Sequence, residues 1–328
     1  MPQQTCKTAC VLLLGMLAAG TASAIDVNRS EVRAFVDKMV GNYGFDRAHV
    51  EAALRAAETK SVILDAISRP AEKTVPWFEY RARFMNGKRI DKGRQFYAVH
   101  RPMFDLLAEQ GAPVAVILGI LGVETQFGDI TGRFRVLDAL STLGFDYPPR
   151  QDYFRYELEQ YLLMCREQKL DPTQPLGSYA GAMGAAQFMP HSVREYAVDY
   201  NADGKVDLWN NWDDVLASIA NYLQQYGWRA GEPILAEATL SSSDTSEFSL
   251  GDVALNETVG GLKRKGVRFD TTLPDAAPAV LISLRGPDGP VYRVGFNNFY
   301  VITRYNRSPL YANAVYDLGE AILANAKP

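Results

Sequence analysis

Residues 112–128 read A-P-V-A-V-I-L-G-I-L-G-V-E-T-Q-F-G, and from Val114 to Val123 no side chain is polar. A helix apolar on every side has no face for water, so it must run through the middle of a domain. Ten residues of apolar run are too few to span a bilayer. Pro113 suits a helix start, where its missing N–H costs nothing, and Gly128 is placed to stop the helix. The first ionisable residue of the stretch is Glu124. Burial disfavours a charged carboxylate, and the negative end of the helix dipole acts in the same sense. Glu124 is therefore a candidate general acid. The alternative is a carboxylate that marks where the helix emerges into water.

Beyond this stretch the chain is ordinary for a globular protein: 328 residues, 47% hydrophobic and 22% charged, a length that predicts about two domains. A formal net charge of −4 gives no basic footprint for nucleic acid. At the N-terminus, Lys7 precedes an apolar run and Thr21-Ala22-Ser23-Ala24, the pattern of a cleaved export signal over residues 1–24. No later run is long enough for a transmembrane segment. Cys6 and Cys10 lie before the apolar run, so neither is placed as a lipid-attachment cysteine, and both leave with the signal. Cys165 remains, in a helical pattern where a buried structural thiol is expected. His49, His100 and His191 lack ligand-like spacing, which gives a zinc site or a Ser–His device little support.

The expected fold is mainly α. Ser30 is placed to cap a helix carrying Val32, Phe35, Val36 and Met39 on one face, and Asp46 to cap a second. A helix is expected from about 92 to 109, with Pro102 a kink. Another is expected over 153–168. From about 231 to 295 the texture changes to short β-like runs broken by turns, Gly286-Pro287-Asp288-Gly289 among them. Helix returns over 310–324.

Three segments carry chemistry. Asp199, Asn201, Asp203, Gly204 and Asp207 fall on positions 1, 3, 5, 6 and 9 of an EF-hand loop. Asn210 stands where the bidentate Glu belongs, so Asp213, three residues on, is the expected late ligand. The plainer reading is an Asp/Asn-rich turn. Residues 177–190, G-S-Y-A-G-A-M-G-A-A-Q-F-M-P, combine small residues that allow close backbone approach with Gln187, which offers donor and acceptor groups to a sugar. Alone, this is a tightly packed loop. Residues 305–312, Y-N-R-S-P-L-Y-A, open the last helix with polar and aromatic side chains.

Taken together and in this order, these segments resemble the lytic murein transglycosylase B family. The resemblance also takes in G-F-D-R at 44–47, P-W-F-E-Y-R at 76–81 and the L-W-N-N-W-D-D run. It implies a lysozyme-like catalytic core (111–230 plus 296–328), an N-terminal helical domain (25–110) and a small antiparallel β domain (231–295). It implies cleavage of the MurNAc–GlcNAc β-1,4 bond of peptidoglycan glycan strands. Glu124 matches the family's single acid/base. Ser178, Gln187, Tyr222, Tyr305 and Asn306 match residues lining its saccharide cleft, and Tyr80 matches more loosely. Asp199, Asn201, Asp203, Lys205 through its carbonyl, and Asp213 match its structural calcium ligands. The family's lipoproteins carry a lipobox cysteine that is absent here, so a soluble periplasmic form is expected. It is expected to act as a monomer, with cell-wall synthesis proteins as candidate partners.

Where ordinary glycosidases use two carboxylic acids, this pattern offers one. The substrate's 2-acetamido group would then support C1, and its C6 hydroxyl would attack, leaving a 1,6-anhydro-MurNAc end. The rivals are a hydrolytic muramidase in which Asp129 helps water attack, and a non-catalytic wall-binding protein stiffened by calcium.

Overall fold

The computed structural model describes residues 23–69, 75–242 and 244–324. Most of the expected signal sequence lies outside them. Its last two residues form β1 (Ser23–Ala24), which pairs antiparallel with β2 (Glu58–Thr59). A cut after Ala24 would remove β1 and leave Ile25, whose nitrogen donates to the Ala57 carbonyl at 3.2 Å, as the first residue.

The helices before the apolar stretch are α1 (Ser30–Tyr43), α2 (Arg47–Ala56), α3 (Ser61–Ser68), α4 (Trp77–Ala82), α5 (Gly87–Val99) and α6 (Arg101–Glu109). Helix α1 buries Val32, Phe35, Val36 and Met39 as the spacing predicts, but Ser30 does not cap it. Arg29 holds the cap position, and its guanidinium reaches Asp146 at 2.7 Å. Asp46 does cap α2, accepting from the His49 N–H at 2.9 Å. The single helix expected over 92–109 is two. Pro102 stands in the first turn of α6, and the break falls at His100, because proline cannot continue a helix through its own ring.

Helix α7 (Val114–Glu124) is the central element: every residue from Val116 to Gly122 is buried. The later helices are α8 (Val136–Asp146), α9 (Gln151–Glu167), α10 (Pro190–Tyr196), α11 (Trp212–Gln225), α12 (Val259–Arg264), α13 (Asn297–Tyr305) and α14 (Pro309–Leu323), of which α11 and α14 pack directly on α7. Helix α14 lies against α7 by an exchange of glycines. A Cβ on Gly119 would stand 2.1 Å from the Val315 carbonyl oxygen, and one on Gly319 would stand 2.0 Å from that of Ala115. Only hydrogen at both places lets the backbones come this close. One buried cluster joins this pair to α1, α2, α6, α8, α9 and α11.

A short ribbon pairs β3 (Phe134–Arg135) with β4 (Leu176–Gly177). The remaining strands are β5 (Leu235–Leu240), β6 (Glu257–Thr258), β7 (Val267–Arg268), β8 (Pro278–Arg285) and β9 (Pro290–Gly295), in the antiparallel order β6-β8-β9-β5-β7. Successive residues of β8 face opposite ways. Val280, Ile282 and Leu284 join the large core, while Ala279 and Leu281 join a small one with Val259, Leu262, Val267, Val294 and Phe296. Buried Arg293 of β9 fastens the sheet to α14, donating to Asn313 and Asp317 at 2.8 Å each.

Candidate active site

Glu124 is the last residue of α7, four residues before Gly128, so the glycine is not what stops the helix. The chain turns through three left-handed residues, Gln126 (φ 52°), Phe127 (φ 59°) and Gly128 (φ 86°). Thr125 fixes this turn: its buried hydroxyl donates to the Ala185 carbonyl at 3.0 Å and accepts from the Gly128 N–H at 3.1 Å. Left-handed conformations at non-glycine residues cost free energy and persist only where the surroundings impose them. Here they turn the chain sharply just past a half-buried Glu124.

Opposite Glu124 stands Tyr311, in the first turns of α14, donating its hydroxyl to Glu124 Oε1 at 2.7 Å. Burial, then the Glu124 charge, then Tyr305 hold the Tyr311 phenol well above its ordinary pKa. Tyr305 is raised in the same way, by burial, Glu124 and Tyr222. Both phenols therefore stay protonated and act as donors. Tyr80 also contributes to the field at Tyr311, which brings α4 to the same place.

The other sequence-predicted residues divide into two groups. Ser178 and Gln187 join Glu124 in lining a cleft of about 570 Å³. The Ser178 hydroxyl accepts from the Ala180 and Ala182 N–H groups at 3.2 and 3.0 Å, so it shapes its own turn. Gln187 Nε2 donates to the carbonyls of Thr131 at 3.0 Å and Gly184 at 2.9 Å. Its donors are thus spent on the cleft wall, and Oε1 is the atom with which it can receive a ligand hydroxyl. The small residues of this loop serve close packing, since a Cβ on Gly184 would meet the Leu208 carbonyl oxygen at 2.3 Å.

Tyr80, Tyr222 and Tyr305 are not among the residues lining that cleft. Tyr222 and Tyr305 pack with ring centroids 4.9 Å apart. Tyr222 donates to the Arg304 carbonyl at 2.7 Å and Tyr305 to that of Ala186 at 2.6 Å. With Tyr80 and Tyr222 only 1% and 6% exposed, these rings brace the site more than they offer a sugar a surface. Asn306 is exposed on the connection between α13 and α14 and is not among the residues lining the cleft.

The cleft also holds Asp129, Ile130, Arg133 and Tyr179, none of which the sequence marked as substrate-binding. Asp129, the residue a water-activating mechanism would need, is exposed and ion-paired with Lys92. Tyr311 was within the quoted Y-N-R-S-P-L-Y-A segment, but nothing in its spacing distinguishes it from a core aromatic.

In the EF-hand-like loop, Asp199 accepts from the Asp203 and Gly204 N–H groups at 3.1 and 2.7 Å, and Asp203 from that of Lys205 at 2.9 Å. Gly204 has φ 88°, as a sharp turn at position six needs. The late acid is less simple. Asp213 is exposed, whereas buried Asp214 spans the loop, accepting from the Tyr200 and Asp207 N–H groups at 2.9 Å each. Among the described residues no three His, Cys, Asp or Glu side chains are grouped to hold an ion. Cys165 is a free, buried thiol, pushed up to about 12 by burial.

This architecture matches known proteins over nearly its whole length. The family described as the transglycosylase SLT domain covers residues 28–320. The membrane-bound lytic murein transglycosylase B of Escherichia coli K12 is 35% identical over 310 residues, spanning 90% of this chain and 83% of that protein. The crystal structure of the lytic transglycosylase SltB1 from Pseudomonas aeruginosa superimposes with a TM-score of 0.88 at 43% identity, covering 91% of this chain and 99% of that one. The Escherichia coli lytic transglycosylase Slt35 in complex with calcium gives 0.82 at 36% identity, covering 92% and 95%. A purely wall-binding, non-catalytic role is set aside by this kinship. The chain belongs to the transglycosylase SLT family and is a lytic murein transglycosylase of the B type.

Proposed function

We propose that Glu124 alone serves as both acid and base in cleaving the MurNAc–GlcNAc β-1,4 bond, and that the product ends in 1,6-anhydro-MurNAc. The observation that carries this reading is the Tyr311–Glu124 hydrogen bond in a cleft whose other carboxylate, Asp129, is paired with Lys92. Glu124 gives its proton to the glycosidic oxygen as the bond to C1 breaks. The 2-acetamido oxygen of the substrate then supports C1. Glu124, now a carboxylate and still receiving the Tyr311 hydroxyl, takes the proton of the MurNAc C6 hydroxyl as that oxygen closes on C1. Water is not consumed. Ser178 and Gln187 hold the sugar, Tyr80, Tyr222 and Tyr305 keep the walls in place, and Asn306 meets the strand at the rim.

The oxygen-rich loop suits a hard cation, because Asp199, Asn201, Asp203 and the Lys205 carbonyl are the donors calcium prefers. Asp213 would complete the set by closing from the start of α11. The role assigned to the ion is rigidity, in a loop next to the cleft-lining segment 177–190. Among the described residues no helix is long and apolar enough to cross a membrane. We place the protein in the periplasm, exported by the sequence over residues 1–24.

The test is product chemistry with a paired variant. Purified peptidoglycan is digested and the muropeptides are weighed by mass spectrometry before and after borohydride. Ends that resist reduction are the expected result, and Glu124→Gln should lower the rate by about 10²–10⁴-fold with its circular dichroism unchanged. Reducible ends would make the enzyme a hydrolase and return Asp129 to the site.

A further inference from the structure

A second cavity, of about 620 Å³, opens between the turn after α9 and the far side of the calcium-type loop. Its floor is apolar, made by Leu170, Leu176, Val206 and Trp209. Trp209 is held in place by its indole N–H, which donates to the Leu176 carbonyl at 2.9 Å. Leu176 is 45% exposed, so its side chain is open to a ligand entering the cavity.

Two lysines and two aspartates stand at the rim, and among the described residues none of them forms an ion pair with another. Asp171 accepts from the Thr173 N–H at 2.9 Å, and Asp207 from the N–H groups of Trp209 and Asn210 at 2.9 Å each, so both carboxylates are committed to their own turns. Lys169 and Lys205 are exposed on the same rim. The lysine ion pairs among the described residues involve Lys38, Lys60, Lys92, Lys263 and Lys265, and neither rim lysine is one of them. Lys169 also holds a left-handed φ of 56° just past α9, a place that glycine or asparagine would fill at less cost. An apolar floor under two uncommitted ammonium groups fits a ligand that is amphipathic and carries carboxylates.

Position narrows the choice. Strand β4 ends at Gly177, so Leu176 of this cavity and Ser178 of the Glu124 cleft are separated by one residue, about 7 Å of extended chain. A peptide of a few residues attached to a sugar in the cleft spans that distance. We propose that this cavity binds the acidic stem peptide of the peptidoglycan strand, with Lys169 and Lys205 pairing its carboxylates and Trp209 and Leu176 covering its apolar side chains. The proposal rests on peptidoglycan as the substrate and is independent of which residue does the chemistry.

The probes are a GlcNAc–MurNAc disaccharide carrying its peptide, the same disaccharide without peptide, and the free peptide. None contains the bond the enzyme cuts, so binding is read without turnover and a failure of the Glu124 assignment leaves the test intact. Titration is by calorimetry and by the Trp209 indole N–H resonance, with calcium present throughout. The peptide-bearing disaccharide should shift that resonance and bind more weakly as salt rises. Lys169→Gln should weaken it at least threefold, with no matching change for the peptide-free sugar, and adding Lys205→Gln, which keeps the backbone carbonyl of the calcium set, should take the loss to tenfold. The free peptide should shift the same resonance at higher concentration. An indole signal that does not move, or an affinity equal in wild type and double variant, overturns the proposal. Should the double variant lose its native melting transition, Lys169→Gln alone is expected to show about half the loss on a logarithmic scale, and no loss in a folded single variant counts equally against it.

Discussion

Tyr311 Oη lies 2.7 Å from Glu124 Oε1, across 187 residues of sequence. Glu124 closes α7, and Tyr311 lies in the first turn of α14. The glycines that bring those helices together set the distance. A donor aimed at a carboxylate favours the ionised form and holds its orientation.

Tyr311→Phe removes that donor and keeps the ring. A hydrogen bond to a charged group contributes about 1.5–3 kcal/mol, so the rate should fall roughly ten- to a hundredfold. Losing the donor favours the neutral acid, and the alkaline limb of kcat/KM should move to higher pH. The pH profile on sacculi, compared with wild type, checks both. An unchanged limb with a lowered rate would mean that the tyrosine acts on the substrate and not through Glu124.

How far this site was legible depends on which physical signal each part leaves. Helix α7 was visible because ten apolar residues in a row have no amphipathic alternative, and Glu124 stood out against them. The loop over 199–207 was visible because its oxygens and glycine recur at fixed offsets. The end of α7 was not, since three left-handed residues, two of them Gln126 and Phe127, follow a Thr125 whose hydroxyl is fixed by the carbonyl of Ala185, a residue distant in sequence. Helix α8 went unread although Asp138, Ser141, Thr142 and Asp146 recur at helical spacing, and in the fold that stripe is covered by the 58–60 segment, whose Glu58 and Lys60 N–H groups donate to Asp138 and Thr142. Tyr311 and the cleft residues Ile130 and Tyr179 reach Glu124 or its cleft by tertiary packing, which no spacing records.

The calcium reading makes a thermal prediction. An ion that binds the folded loop and not the unfolded chain stabilises by mass action, about 2.7 kcal/mol at a hundred times its dissociation constant. Calorimetric melting should rise by several degrees on adding calcium and return on chelation. Asp203→Ala should lose most of that rise while its melting in chelator stays near wild type. Superimposable wild-type curves in calcium and in chelator would remove the ion from the account.

His191 sets a pH dependence of stability. Burial lowers its pKa, but the hydrogen bond to buried Glu157, 2.5 Å from Nδ1, and the attraction of that charge outweigh burial and leave it raised. A folded-state value above the unfolded one means stability that is fully present below about pH 6.5 and is lost as pH rises through the folded value. The melting temperature should fall on going from mildly acidic to mildly alkaline buffer. His191→Gln should flatten that slope, and a slope that survives the substitution would assign it to other groups.

The last prediction concerns the contact that makes the site. Gly119 sits in the middle of α7, where alanine is normally the better helix former by about 1 kcal/mol. Tertiary structure reverses the sign here, because the added Cβ would stand 2.1 Å from the Val315 carbonyl oxygen and 2.9 Å from its carbon. Backbone cannot rotate aside as a side chain can, so α14 must move away from α7. Gly119→Ala should cost about 3 kcal/mol or more, at the upper end for overpacking. A displaced α14 takes Tyr311 with it, so activity per folded molecule should fall together with stability. Gly41 of α1 is the control: a Cβ there meets nothing within 4 Å, and Gly41→Ala should be neutral or stabilising. Denaturant melts and sacculus assays on both variants decide it, and a Gly119→Ala enzyme as stable and active as wild type would mean that the two helices do not meet this closely in solution.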